Sequence, residues 1–136
     1  MRVFLDANIL FTAAHNPSGK AAFVIELGNA GHFELFTSEY AREEAFRNLA
    51  VKYPSCLPCL EDQLRHVTTT PTNPAAPYPT LLTAKDSAIF QAAVTCKATH
   101  ILTGDLKHFG QLMNSPEESF SIIVQTVADF IASLQL

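Results

Sequence analysis

The sequence predicts an α/β protein with a parallel sheet covered on both faces. Three observations carry the prediction. Short apolar runs at residues 3–5, 34–37, 99–102 and 121–124 read as buried strands. Stretches with apolar residues at helical spacing lie between them. Turn chemistry such as Asn16-Pro17-Ser18-Gly19 separates the two kinds of segment. Strands that alternate with helices build parallel sheets with helices on both sides.

In chain order, residues 3–5 form the first strand, and Asp6 and Asn8 are delivered at its C-terminal end. In parallel α/β sheets that edge opens onto the ligand crevice. Residues 9–14 read as a short helix. Residues 20–30 form a second, with Ala21, Val24, Ile25, Leu27 and Ala30 on one face and Gly31 as a left-handed C-cap. After a strand at 34–37, Ser38 caps a helix over 39–51 that Pro54 stops. Residues 55–67 read as one helix with Pro58 in its first turn, and 66–70 as an edge strand. Four prolines between residues 71 and 79 mark a surface loop. Thr83-Ala84-Lys85-Asp86 opens a helix whose apolar face is Ala88, Ile89, Ala92, Ala93 and Cys96. The strand at 99–102 ends in Thr103-Gly104-Asp105, and Phe109 anchors a short helical turn. The last strand is placed at 121–124, and Thr126 begins an amphipathic helix through Val127, Phe130, Ile131 and Leu134.

The chain has 136 residues, 48% hydrophobic and 16% charged, the composition and size of one globular domain spanning 1–136. No apolar run is long enough to cross a bilayer. An Asp at position 6 spoils a signal-peptide core, so a soluble cytoplasmic protein is expected. The net charge of −4 argues against a module that clamps nucleic acid by charge alone. It leaves room for an enzyme that meets phosphates through metal ions.

Two strands, Val-Phe-Leu-Asp6 and His-Ile-Leu-Thr-Gly-Asp105, end in an Asp. Two helices carry acid near their N-termini, at Glu44 and at Asp86. Strand C-termini and the following helix N-termini share one edge of a parallel sheet, so all four can converge. Each acid alone has a simpler reading as a helix cap or dipole partner. Together they would repel one another unless a cation neutralised them. Mg²⁺ suits such a set, because it takes oxygen ligands and bridges carboxylates to phosphate oxygens.

The successive motifs Leu-Asp6-Ala-Asn8-Ile-Leu-Phe, Thr37-Ser38 followed by Glu43-Glu44-Ala-Phe-Arg-Asn-Leu, Lys-Asp86-Ser-Ala-Ile-Phe-Gln-Ala-Ala and Ile-Leu-Thr-Gly-Asp105-Leu-Lys-His-Phe resemble those of PIN-domain proteins, over essentially the whole chain. The resemblance implies a three-layer α/β/α fold with a Rossmann-like parallel sheet of four to five strands in the order 3-2-1-4-5. It implies a nuclease dependent on Mg²⁺ or Mn²⁺, acting on RNA, and many small members are toxins of VapBC-type toxin–antitoxin pairs. A small antitoxin and a homodimer are the partners it implies. Asp6, Glu44, Asp86 and Asp105 match the family's catalytic and metal-binding acids. Asn8 and Thr103 match the orienting positions, and Glu44 is favoured over Glu43 by register. His108 stands where some relatives carry a further acid and is read as a substrate-orienting residue at the rim of the site. Arg42, Arg47, Lys85 and Lys107 lie near these motifs, as phosphate contacts or as solvated helix charges.

Other motifs weigh less. Cys56-Leu-Pro-Cys59 lacks the strand-to-helix setting of a redox pair and the second ligand pair of a zinc site, although His66 and Cys96 are candidate partners. His15, His32, His66 and His100 share no spacing and read as structural or surface residues. The ten phenylalanines fall mostly at core-periodic positions, so no stacking platform is expected. Two other functions compete: a non-catalytic PIN-like binding module, and a small metal-dependent phosphatase using an aspartyl nucleophile. The phosphatase reading is weakened because Asn8 stands where a second acid would transfer protons.

Overall fold

The structure is a computed structural model describing residues 1–135. The strands are β1 (Arg2–Leu5), β2 (Glu34–Ser38), β3 (Val67–Thr70), β4 (His100–Leu102) and β5 (Ile123–Gln125). The helices are α1 (Ala7–His15), α2 (Lys20–Asn29), α3 (Glu39–Lys52), α4 (Leu57–Gln63), α5 (Ala84–Thr95), α6 (Leu106–Phe109) and α7 (Val127–Ser133). All strand pairs are parallel, in the order β3-β2-β1-β4-β5. This is the expected five-strand version of the fold.

The pleat divides the core in two. Val3 and Leu5 of β1 face one side, with Ile9 and Leu10 of α1, Val24 and Ile25 of α2, Leu49 of α3, Leu60 of α4 and Phe130 of α7. Phe4 faces the other side, with Ile89 and Phe90 of α5, Phe109 of α6, Ile101 and Val124. Successive strand residues point to opposite faces, so an apolar run with no polar alternation needs a layer on each side. Each fully buried large side chain stabilises the fold by roughly 1.5–3 kcal/mol.

Three boundaries differ from the sequence expectation. The helix expected over 55–67 is a 3₁₀ turn (Pro54–Cys56), then α4, then a second 3₁₀ turn (Leu64–His66). The tighter final turn buries Leu64 and delivers Val67 directly into β3. The last strand begins at Ile123, not at residue 121. Phe120 and Ser121 have φ of 53° and 67°, a left-handed conformation that no strand contains. The Ser119 hydroxyl, fully buried, donates to the Ile122 carbonyl at 2.7 Å and holds that turn. The first helix begins at Ala7, because Asp6 is its N-cap. Gly31 ends α2 as expected, with φ of 95°, and the His32 amide donates back to the Leu27 carbonyl at 3.1 Å.

No helix among the described residues is long and apolar enough to cross a membrane.

Candidate active site

The sheet order makes β1 and β4 neighbours at the point where the winding reverses, the expected crevice of such a sheet. Leu5 is in register with Leu102, so the residues that follow, Asp6 and Thr103, leave the sheet side by side. The Asp6 amide donates to the Leu102 carbonyl at 3.1 Å and the Thr103 amide to that of Gln125 at 3.1 Å, which fixes both at the sheet edge.

Asp6 is buried and every contact around it is ordered. One carboxylate oxygen accepts from the Ala7 amide at 2.7 Å and caps α1. The other accepts from the Thr103 hydroxyl at 2.8 Å and from the Asn8 amide at 3.2 Å. Asn8 Nδ2 also lies 3.2 Å from Thr103 Oγ1, and Asn8 Oδ1 accepts from the Gly104 amide at 2.7 Å. A Cβ at Gly104 would come within 3.3 Å of Asn8 Oδ1, so glycine lets the backbone approach this closely. Thr103, fully buried, in turn accepts from the Asp105 amide at 3.1 Å. Asn8 and Thr103 thus both hydrogen-bond the Asp6 carboxylate.

The other acids arrive from three elements. Ser38 caps α3 by accepting from the Ala41 amide at 3.0 Å, and α3 then carries Glu44 into the cleft. Glu43, its neighbour, is exposed and does not line the cleft. Thr83 caps α5, and its hydroxyl donates to Asp86 Oδ2 at 2.8 Å, fixing a buried carboxylate. Asp105 follows β4 and caps α6 through the His108 amide at 3.1 Å.

Burial is the largest influence on Asp6 and pushes its pKa above the ordinary 3.8; the Thr103 and Ala7 hydrogen bonds oppose it, and the like charges of Glu44 and Asp86 add to it. For Asp105 burial acts upward too, but the His108 side-chain and backbone hydrogen bonds outweigh it and hold the carboxyl below 3.8. His108 Nδ1 lies 2.6 Å from Asp105 Oδ2 and 3.6 Å from Asp86 Oδ2. Asp86, Asp105 and His108 bring one potential ligand atom each within 4.8 Å of one another. Asp6 and Glu44 are outside that tight group, although both line the same cleft. Glu44 is instead paired with the Lys85 ammonium, which its hydrogen bond holds above the ordinary lysine pKa.

Asp6, Asn8, Glu44, Lys85, Asp86 and Asp105 share the wall of one open cleft of about 890 Å³. Of the four cations near the motifs, Lys85 lines it; Arg42 instead sits with its guanidinium 5.5 Å from the Phe46 ring centroid. Thr83 and Phe11 escaped the sequence reading as site residues. Thr83 was legible as a cap three residues before Asp86, but not as a carboxylate partner. Phe11, read with the core phenylalanines, is only partly buried and lines the cleft. Cys56 and Cys59 are free and half-buried, with burial pushing the Cys59 thiol up. Among the described residues no cysteine joins a group of potential metal ligands. His100 is buried against the Phe130 ring, and His15, His32 and His66 are exposed, as expected.

A family model described as PIN domain matches residues 2–107. No curated protein matches the sequence. Among solved structures, the chain is similar to one in the VapBC2 structure from Rickettsia felis bound to a DNA fragment from their promoter. That match has a TM-score of 0.67 and 16% identity, covering 93% of this chain and 98% of the other. It is also similar to one in the VapBC-1 structure from nontypeable Haemophilus influenzae, with a TM-score of 0.59 and 15% identity, covering 94% and 99%. At these identities the likeness is one of fold.

Proposed function

Because the chain belongs to the PIN-domain family, we propose that it is a metal-dependent endoribonuclease and the toxin of a VapBC-type toxin–antitoxin pair. The observation that carries the reading is the meeting of Asp6, Glu44, Asp86 and Asp105 in one cleft at the reversal point of the sheet. The donor set suits Mg²⁺ or Mn²⁺: the four groups are carboxylates, and the like charges of Glu44 and Asp86 both bear on Asp6. Asp6, Asp86 and Asp105 would hold the ion, with Glu44 completing the set. Such an ion supplies an activated water and charge neutralisation at a phosphate.

The chain's own residues supply order. Thr103 and Asn8 hold Asp6 in one orientation, and Thr83 holds Asp86. His108 steadies Asp105. Lys85, half-exposed at the cleft wall, is the cation able to leave its carboxylate for a substrate phosphate. In the reaction, water oxygen bonds to phosphorus as the P–O3′ bond breaks, leaving 5′-phosphate and 3′-hydroxyl ends. The VapBC complexes with similar folds support a small antitoxin as partner, and a homodimer fits the same reading.

The test is incubation with single-stranded RNA and Mg²⁺ or Mn²⁺. Internal cleavage with 5′-phosphate ends is expected. Asp6→Asn, Asp86→Asn or Asp105→Asn each slow it on the order of 10²-fold or more, the effect of losing one charge-stabilising group. Cleavage that persists unchanged in chelator overturns the mechanism. The product of the adjoining gene should copurify with the chain and inhibit it if the toxin role holds.

A further inference from the structure

The cleft has two chemically distinct ends, built from the same two helices. Along α1, Asn8, Phe11, Thr12 and His15 are spaced three and four residues apart and form one stripe, while Ile9, Leu10, Ala13 and Ala14 between them are buried. Along α3, Glu44, Asn48 and Lys52 repeat every four residues. Asn8 and Glu44 belong to the acidic end. Phe11 and Lys52 lie further along the same two helices, at the far end, and Lys20 at the start of α2 lines the same cleft.

Phe11 is flanked by two further rings. The His15 and Tyr53 rings stack on each other with centroids 3.9 Å apart and planes at 15°. They lie 6.2 Å and 6.0 Å from the Phe11 ring. The Lys52 ammonium sits 5.7 Å from the Phe11 centroid. Among the described residues neither Lys20 nor Lys52 has a carboxylate within 4.0 Å. Thr12, Asn16 and Asn48 line the same end with hydroxyl and amide groups.

A braced aromatic ring, two cations lacking carboxylate partners and a polar fringe are what a single-stranded nucleotide needs. Its base stacks on the ring, its phosphate meets an ammonium, and its edge meets amides. A docked protein helix would ask for a broad apolar wall, whereas Thr12, Asn16, Lys20, Asn48 and Lys52 put hydroxyl, amide and ammonium groups on this one. Phe11 lies about 4.5 Å beyond Asn8 along the axis of α1, at 1.5 Å per residue. That is the neighbourhood of the nucleotide next to the phosphate held by the acids.

We propose that Phe11, Lys52 and Lys20 form a subsite for a single-stranded RNA nucleotide flanking the cleaved phosphodiester, with the base on Phe11 and its phosphate on the lysines. The assignment rests on the ribonuclease reading above. It also explains how an acidic protein grips RNA: Lys52 and Lys20 share the cleft wall with the metal-binding acids.

The chain has no tryptophan, so Phe11→Trp gives a single-site reporter. In EDTA, where binding is read without metal-dependent cleavage, short single-stranded RNA quenches its fluorescence and duplex RNA quenches it less. Phe11→Leu, which keeps an apolar side chain but no ring, weakens binding of labelled single-stranded RNA about 5- to 150-fold, the range for losing one base stack. Phe11→Tyr restores it. Lys52→Ala lowers the slope of log affinity against log salt by about 0.7. Equal affinity of Phe11→Leu and wild type, or an unchanged salt slope for Lys52→Ala, overturns the subsite. Quenching by an amphipathic helical peptide but not by RNA overturns it in favour of a protein occupant. Wild-type cleavage is scored separately with metal present. Cleavage together with Phe11-independent binding sinks the subsite and leaves the nuclease standing, whereas Phe11-dependent RNA binding without cleavage supports the subsite and sinks the nuclease.

Discussion

Asp6 meets two opposed demands. It must be ionised to hold a cation, yet burial, with the charges of Glu44 and Asp86, favours its protonated form. Its folded pKa lies above the unfolded value of 3.8, so the folded protein keeps a proton that the unfolded chain has already lost. Stability attached to Asp6 is therefore fully present below 3.8 and is lost as pH rises through the folded value. Asp6→Asn removes that loss and keeps an acceptor for the Ala7 amide. The metal-free variant should melt at or above wild type at pH 7, with the difference closing as pH falls below 3.8. Thermal melts in chelator across pH check this; a variant markedly less stable at pH 7 would mean that the Asp6 charge is already compensated within the protein. Asp105 has the opposite sign. Its lowered pKa contributes stability above 3.8 that is lost as pH falls through the folded value. Asp6 was also the most legible residue in the sequence, because an apolar run that stops at an acid is a local signal. That Thr103 would contact it was implied only by resemblance, since the contact spans 97 positions and depends on the β1–β4 register.

At the scale of elements, the acids reach the cleft through helix starts. Glu44 rides on α3 six residues past its cap, and Asp86 sits in the first turn of α5. The Lys85–Glu44 pair ties the start of α5 to α3. Lys85 is 50% exposed and Glu44 18%, so solvent screens the pair and its stabilising effect is held to under about 1 kcal/mol. Its larger consequence is competition, since the ammonium neutralises a carboxylate that a cation would otherwise use. Lys85→Ala should leave the metal-free melting temperature nearly unchanged and tighten Mn²⁺ binding by isothermal titration. Weaker Mn²⁺ binding would show that Lys85 organises Glu44 for the ion instead of competing with it. The caps at Ser38, Thr83 and Thr126 and the stop at Gly31 were readable because each is set by one or two neighbouring residues. The start of β5 was not. Ser121-Ile-Ile-Val looks like a strand from its first residue, but Phe120 and Ser121 are forced left-handed by a turn in which Ser119 bonds across to Ser115 and Ile122. Phe11 packs against the core and also lines the cleft, and helical spacing alone shows only the first.

For the whole molecule, local patterns say which segments are strands but not which strands are neighbours. The order β3-β2-β1-β4-β5 arises because the chain winds outward from β1 on one side and returns past it to continue on the other. This arrangement brings the ends of β1 and β4 together while α3 and α5 begin on the same edge. Folding therefore assembles four like charges from four separated segments, in a chain whose net charge is already −4. At Asp6 that assembly opposes folding, and a bound divalent ion should reverse the effect. An ion that binds only the folded state adds RT ln(1 + [L]/Kd), about 2.7 kcal/mol at a concentration one hundred times Kd. Mg²⁺ or Mn²⁺ should thus raise the melting temperature of wild type, and chelator should return it to the starting value. Added NaCl at matched ionic strength separates binding from screening, because screening relieves repulsion for any salt whereas the site selects a divalent ion. Hydrogen exchange should report the same event by position. Protection should rise at the ends of β1 and β4 and the first turns of α1 and α5, with the distant 3₁₀ turn at Pro54–Cys56 unchanged. If divalent ions stabilise no more than matched NaCl, or if protection rises evenly over the chain, the four carboxylates are not acting as one site.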